Sequence, residues 1–405
     1  MNFSKKDDIL TISLPGSDLV FTQYLYIKEE VRIALLVSIL NKSDDDIFWT
    51  YELYHSGFKQ ELLNLIWKIY YDFFASLNPA YESYLLKKHK ELIMVSDRNQ
   101  ERVVSSIIQD LLFRPYNTDI FMLRNICENF EVDITYHHCS EKITHTDNVY
   151  TNMTQWVANN DFRSIAQWIL NLNKDVIKVV DIYNICLDIF EEEVKLITCK
   201  QKSKLEKEFA SAIKLNINNN VILLAKIMQL FSKKAELKKG RSMYINVEPE
   251  DIIPYDPIIG SDEIKHYTIL EKAYMCGIDD LKHLGLFKLT RNKYNLTEVY
   301  WYRWEYHASF SPLWSQRIRQ FGGYLDYTKQ KVIFKEEPDD DLMQEFYRLY
   351  GLETDEQKSK VQNKSIQRIE KVNDWRWFNE QYKKNGLFEV YEEELDEFNV
   401  DGLTY

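Results

Sequence analysis

Glycine and proline are scarce in this chain, 11 and 8 residues in 405. A β-rich fold reverses direction every few residues and draws on those two residues for its turns, so their scarcity points to long helices. The apolar spacing agrees. Lys28 to Asn41 reads as a helix buried on most sides, through Val31, Ile33, Leu35, Leu36, Ile39 and Leu40. Ser43 caps a second helix of about Asp44 to Ser56, with Asp44, Asp45 and Asp46 in its first turn and Gly57 marking its end. A third runs from Phe58 to Leu77 and is stopped by Asn78 and Pro79.

Helices over Tyr81 to Val95, Asn99 to Phe113 and Thr118 to Phe130 complete a first helical block, residues 1–135, in which Leu19 to Tyr26 reads as one strand. Polar residues Tyr136 to Asn148 interrupt the pattern. A second block, 149–238, holds Val149 to Asn159, Asp161 to Leu172, Lys174 to Phe190, a long stretch from Glu191 to Leu215, and Asn219 to Lys234. Residues 239–261 carry Pro249, Pro254 and Pro257 with little periodicity, as a linker or an extended segment draped over helices does. The C-terminal helical domain, 262–385, has helices near Asp262 to Met275, Leu296 to Ala308, Ser311-Pro312 to Gly322-Gly323, and Asp340 to Tyr350. It also has one hairpin, Tyr324 to Asp326 with Lys331 to Phe334. An acidic tail, 386–405, closes the chain. The expected class is all-α: a divergent helical-repeat array or a multi-helix bundle, with one small β-hairpin in the C-terminal part.

Five cysteines, Cys127, Cys139, Cys186, Cys199 and Cys276, are odd in number and widely spaced, and the start is polar at Lys5, Lys6, Asp7 and Asp8. They read as free thiols of a cytoplasmic protein. The apolar run Ile33 to Leu40 is far shorter than the roughly 20 residues that cross a bilayer, so no membrane partner is expected.

Phosphate-cradling loops and nucleophile elbows need glycine-rich turns, and neither motif is present. Cys127, His137, His138, Cys139 and His145 can supply four zinc ligands, yet their spacing is not that of a zinc finger. The reading taken is polar surface histidines and a packed Cys127, with no metal and no cofactor. Pro254, Asp256, Glu263 and Lys265 mimic a nuclease motif, but Glu263 and Lys265 open a helix where such enzymes use strands.

Net charge is −12, against indiscriminate nucleic-acid binding by the whole chain. Locally the balance inverts. Between Lys195 and Arg241, 12 Lys or Arg face only Glu206, Glu208 and Glu236, a balance of +9. Lys200, Lys202, Lys204 and Lys207, then Lys233, Lys234, Lys238, Lys239 and Arg241, form a candidate phosphate-contacting stripe; the alternative is a solvated face meeting an acidic surface. Trp301 and Trp304, on one helix face beside Glu305, are candidate stacking or partner-binding residues. In the tail, Phe388, Tyr391, Leu395 and Phe398 are spaced as an acidic amphipathic helix that docks in a partner's groove or on the chain's own basic stripe.

Glu30 to Pro79, above all Phe48-Trp49-Thr50-Tyr51-Glu52-Leu53 and Ile66-Trp67-Lys68-Ile69-Tyr70-Tyr71, and Ser311-Pro312-Leu313-Trp314 through Gly322-Gly323, resemble uncharacterised helical proteins of large nucleocytoplasmic DNA viruses, the mimivirus-like giants. Heavy use of Asn, Ile, Lys and Tyr with sparing Ala agrees with an AT-rich source. The resemblance covers packing residues and transfers no active site. It implies a setting in the host cytoplasm or viral factory. There a HEAT-like scaffold, such as the helical middle domain of the translation-initiation scaffold joining cap-binding protein to helicase, is one architecture to imitate.

The expectation is a non-enzymatic helical scaffold or adaptor for protein–protein assembly in viral gene expression. The alternatives are an RNA-binding factor using the 195–241 stripe, and an enzyme or zinc protein with a site no linear motif reveals.

Overall fold

The computed structural model describes residues 19–129, 146–172, 178–215, 219–232, 244–257, 295–334 and 342–350. The fold is all-α: these residues form sixteen α-helices and one two-stranded antiparallel sheet. None of the described helices is long and apolar enough to cross a membrane.

The chain divides into two compact units, each built from separated segments. Among the described residues the second unit holds 36–50, 60–129, 146–172, 178–215, 219–232 and 244–254. Eleven helices come first in chain order: α1 Lys28–Asn41, α2 Asp46–His55, α3 Lys59–Ile69, α4 Tyr81–Met94, α5 Asp97–Leu112, α6 Asp119–Asn129, α7 Thr146–Asn159, α8 Phe162–Leu170, α9 Val179–Glu192, α10 Cys199–Ala212 and α11 Asn219–Phe231. The short α12, Pro249–Ile252, follows.

At the centre of the second unit is α11, with every residue from Asn220 to Leu230 buried. Its sequence, NNVILLAKIMQLF, is apolar around the whole circumference, which only a helix surrounded by others tolerates. It packs on α6, α8 and α9, so residues from both helical blocks share one core.

The helix expected over Phe58 to Leu77 is not uniform. After α3 the chain continues as one π-helical stretch, Tyr70–Phe74, where the Ala75 amide reaches back to the Tyr70 carbonyl at 2.8 Å. The wider turn inserts a residue and re-aims the side chains after it. Phe73 then stacks on Phe121 at 4.9 Å, and Asp72 points into the core toward α6. The single stretch expected from Glu191 to Leu215 is likewise two elements. It breaks at Lys195, whose φ is +55°, and restarts where Thr198 and Gln201 close a capping box onto α10.

The first unit holds 19–35, 51–59, 255–257, 295–334 and 342–350. Its C-terminal elements are α13 Leu296–Tyr302, α14 Trp304–Ala308, α15 Pro312–Gln320, β1 Gly323–Asp326, β2 Lys331–Phe334 and α16 Leu342–Tyr350. Ser311 caps α15 by accepting the Trp314 amide at 3.2 Å, Pro312 fills its first position, and Gly322 ends it with φ +72°. The hairpin pairs Gly323 with Phe334 and Asp326 with Lys331.

The strand expected over Leu19 to Tyr26 is instead a tight loop with one bridge, Phe21 to Ile27. Leu25 takes φ +62°, and the Thr22 hydroxyl donates to the Tyr26 carbonyl at 3.2 Å, which folds the chain back before a strand can extend. Its main chain is held by the C-terminal elements instead. Trp314 Nε1 donates to the Thr22 carbonyl at 2.9 Å, and the Tyr300 hydroxyl to the Leu25 carbonyl at 2.9 Å. Gly57 makes a second junction of this kind: its φ is +92°, and a Cβ there would lie 2.6 Å from Cβ of Pro312. Only glycine fits.

Candidate functional site

The most organised polar surface lies on α5. Val103, Val104, Ile107, Ile108 and Leu111 face the core at helical spacing. A second ridge carries Arg102, Ser106 and Asp110, one residue per turn. Residues 244–248 run along this ridge before Pro249 opens α12. The Ile245 amide donates to Asp110 Oδ1 at 2.7 Å, and the Val247 amide to Ser106 Oγ at 3.4 Å. Arg102 Nε donates to the Val247 carbonyl at 2.9 Å, and its Nη2 lies 3.4 Å from Glu248. Tyr244 rests against Tyr84 at 4.3 Å, and the Arg114 guanidinium lies 3.9 Å from the Tyr81 ring and 5.3 Å from that of Tyr244. Burial pushes the Asp110 carboxyl above the usual carboxylate range, against the Ile245 amide and the Arg114 charge, which favour ionisation. Sequence reading missed this ridge. Its signal is a polar residue at every fourth position of a helix whose other face is apolar.

Deeper in the same unit, Lys226 pairs with Glu82, and the Tyr71 hydroxyl donates to Glu82 Oε1 at 2.8 Å. Both charged side chains are 2% exposed, so the group is sealed from solvent. Burial, then Glu82, raises the Tyr71 phenol far above its ordinary range. Arg124 clamps Asp72 through two bonds of 3.1 and 2.7 Å, both residues again buried. Such pairs fix one arrangement of helices, because each charge removed from water needs its partner in place.

The basic stripe is only partly within the described residues. Lys200, Lys204 and Lys207 are exposed on α10. Lys202 is engaged by Asp188 and by Glu191 at 3.4 Å, and Lys204 lies 3.6 Å from Glu208. The Asp188 carboxylate, first of all, holds the Lys202 ammonium above its usual range. Lys233, Lys234, Lys238, Lys239 and Arg241 lie outside the described residues, as do Phe388, Tyr391, Leu395 and Phe398 of the tail.

The tryptophan pair needs a correction. The helix expected over Leu296 to Ala308 breaks at Arg303, whose φ is −143° and whose guanidinium reaches Glu298 at 2.8 Å and Gln330. The face shared by positions 301 and 304 is interrupted there. Trp304 is fully buried, edge-on to Trp314 at 5.4 Å and stacked with Phe346 at 6.3 Å, which makes it a core residue with no surface to offer. The side chain of Trp301 lies outside the described residues.

Cys127 is buried, with its thiol 3.8 Å from the Arg163 carbonyl, while His137, His138, Cys139 and His145 lie outside the described residues. Asp256 lies in the first unit, and Glu263 and Lys265 are outside the described residues as well. Among the described residues no three His, Cys, Asp or Glu side chains converge as metal ligands. Among the described residues Cys127, Cys186 and Cys199 take part in no disulfide. In the first unit, Glu52 is fully buried and accepts the Tyr24 amide at 3.0 Å and Gln23 Nε2 at 3.2 Å. Burial pushes its carboxyl up to about 7 despite these donors and the Arg317 charge.

Fold and surfaces together define an all-α protein with ionic groups locked inside one unit and a main-chain-reading ridge on its outside. No protein-family model, curated protein or solved structure matches the chain.

Proposed function

We propose that this chain is a non-enzymatic helical scaffold that assembles other proteins in the cytoplasm, in the gene expression of a large DNA virus. One observation carries the reading. In a unit that carries two buried ion pairs, Lys226 with Glu82 and Arg124 with Asp72, the C-terminal turn of α4 presents Ile93 and Met94 to solvent, 71% and 83% exposed. A rigid frame with adjacent large apolar side chains at a helix tip has the makings of a docking point. Covering each contributes roughly 1.5–3 kcal/mol. The test is affinity purification of the tagged chain, with and without nuclease, beside an Ile93→Asp/Met94→Asp variant. A fixed protein set that survives nuclease and is lost in the variant supports the scaffold. Partners that leave with the RNA overturn it.

The exposed lysines of α10 favour a second reading, an RNA-binding factor. Lys200, Lys204 and Lys207 reach solvent on successive turns. Three phosphate contacts give a slope of about −2 in log affinity against log salt for a single strand. A salt-independent affinity sets this reading aside.

A further inference from the structure

The ridge on α5 matches the repeat of an extended chain. Side chains four apart on a helix are separated by about 6 Å along its axis, and alternate residues of an extended segment by about 6.6 Å. Two steps of one therefore keep register with the other. Asp110 takes the amide of Ile245, Ser106 that of Val247, and Arg102 the Val247 carbonyl, with the segment running antiparallel to α5. All three contacts are to main chain, so they are available to any extended peptide.

Selectivity comes from three side chains. Tyr244 lies between the Tyr84 ring and the Arg114 guanidinium. Val247 is buried at 6% exposure, and Glu248 faces Arg102. The holding of these five residues is slight, Val247 alone being buried and Tyr244 45% exposed, while the adjoining α12 anchors the segment's end on α5 through buried Ile252. Local openings of such weakly buried segments cost far less than global unfolding.

We propose that the α5 ridge is a receptor for an extended segment of another protein, one bearing an aromatic residue, a valine-sized residue three positions later and an acid after that. Residues 244–248 are its resident ligand in cis. A tethered ligand competes at an effective concentration in the millimolar range, so a partner segment binds only when it outmatches that local excess. The site is thereby kept closed to weak or chance peptides. This deepens the scaffold reading and rests on it for the existence of a partner.

The test is a titration of a fluorescent peptide, Met-Tyr-Ile-Asn-Val-Glu-Pro, the sequence of residues 243–249, into the full chain. Tyr244→Ala/Val247→Ser empties the ridge and is expected to bind the peptide about 100-fold more tightly than the unaltered chain. Adding Arg102→Ala and Asp110→Ala to that variant, which removes the donor and the acceptor for the peptide main chain, abolishes the gain. A double variant with unchanged helical signal that binds no better than the unaltered chain overturns the proposal. If the double variant does not fold, hydrogen exchange on the unaltered chain decides. Ile245 and Val247 amides exchanging at least 100-fold faster than those of Ile107 and Ile108 support a strap that opens; exchange at the same rate overturns it. The titration reads the ridge alone, so its failure leaves the purification result intact.

Discussion

The two units solve the same problem with different chemistry. In the first, bulky rings fill the interior: Trp304, Trp314, Phe321, Phe334, Phe346 and Tyr350 contact one another, and the Arg317 guanidinium sits 4.7 Å from the Trp314 ring and 4.5 Å from that of Tyr350. The second buries rings as well, Trp67, Tyr70 and Tyr71 in mutual contact, but adds aliphatic α11 and ion pairs carried entirely inside, Lys226 with Glu82 and Arg124 with Asp72. Aromatic packing is tolerant of small shifts because rings attract over several geometries. A buried ion pair is not, because a displaced partner leaves an uncompensated charge. The difference lies in the ion pairs, which tie the helices of the second unit to one arrangement.

The largest expected effect tests that contrast directly. Lys226→Met strands Glu82 in the interior and lowers stability by about 3–5 kcal/mol, whereas Lys226→Met/Glu82→Leu recovers most of the loss. Urea denaturation of the three chains measures both. Trp304→Ala in the first unit costs a similar amount, about 3–5 kcal/mol, through cavity formation, and no charge-removing second change restores it. A rescue there ends the distinction.

Next in size is a pH effect. The folded chain holds Glu52 at about 7, above its unfolded value, so between pH 4.5 and 7 it retains a proton that the unfolded chain has released. Its contribution to stability is therefore greatest at low pH and falls as pH rises through this window. Glu52→Gln is expected to be more stable than the natural chain at pH 8, by about 1–3 kcal/mol, with the gap closing at pH 4. Thermal melts across pH show it. Asp46 in the second unit, fully buried and also pushed up to about 7 by burial, gives Asp46→Asn the same sign. The smallest effect is Lys204→Ala on α10, under about 0.5 kcal/mol, because its pair with Glu208 is exposed. A larger loss in a melt would place Lys204 in a contact tighter than a surface pair.

How much of this was legible differs between elements. The limits of α1 and the Ser311-Pro312 start of α15 follow from signals within a few residues: periodic apolar side chains, a cap, a proline and a closing glycine. The all-α class followed from the same signals. The π-helical stretch at Tyr70–Phe74 left no mark, since YYDFF fits an ordinary buried helix equally well. The pairing of Lys226 with Glu82 spans 144 residues, and neither residue carries a local hint of its partner. Trp304 reads as a surface anchor only on a helix continuous through Arg303, where the chain breaks instead. For the α5 ridge the pattern was in the sequence, but a row of polar residues on a helix reads as solvated until the segment covering it is placed.

The bond from Trp314 to the Thr22 carbonyl has a consequence for biosynthesis, because its partners are 292 residues apart. At about 5–20 residues per second, the amino-terminal loop leaves the ribosome about 15–60 s before its indole partner exists. For that interval the Leu19–Ile27 segment is an apolar stretch without its native cover, a natural client for a holding chaperone. A slowed ribosome lengthens the exposure and favours aggregation of the nascent chain.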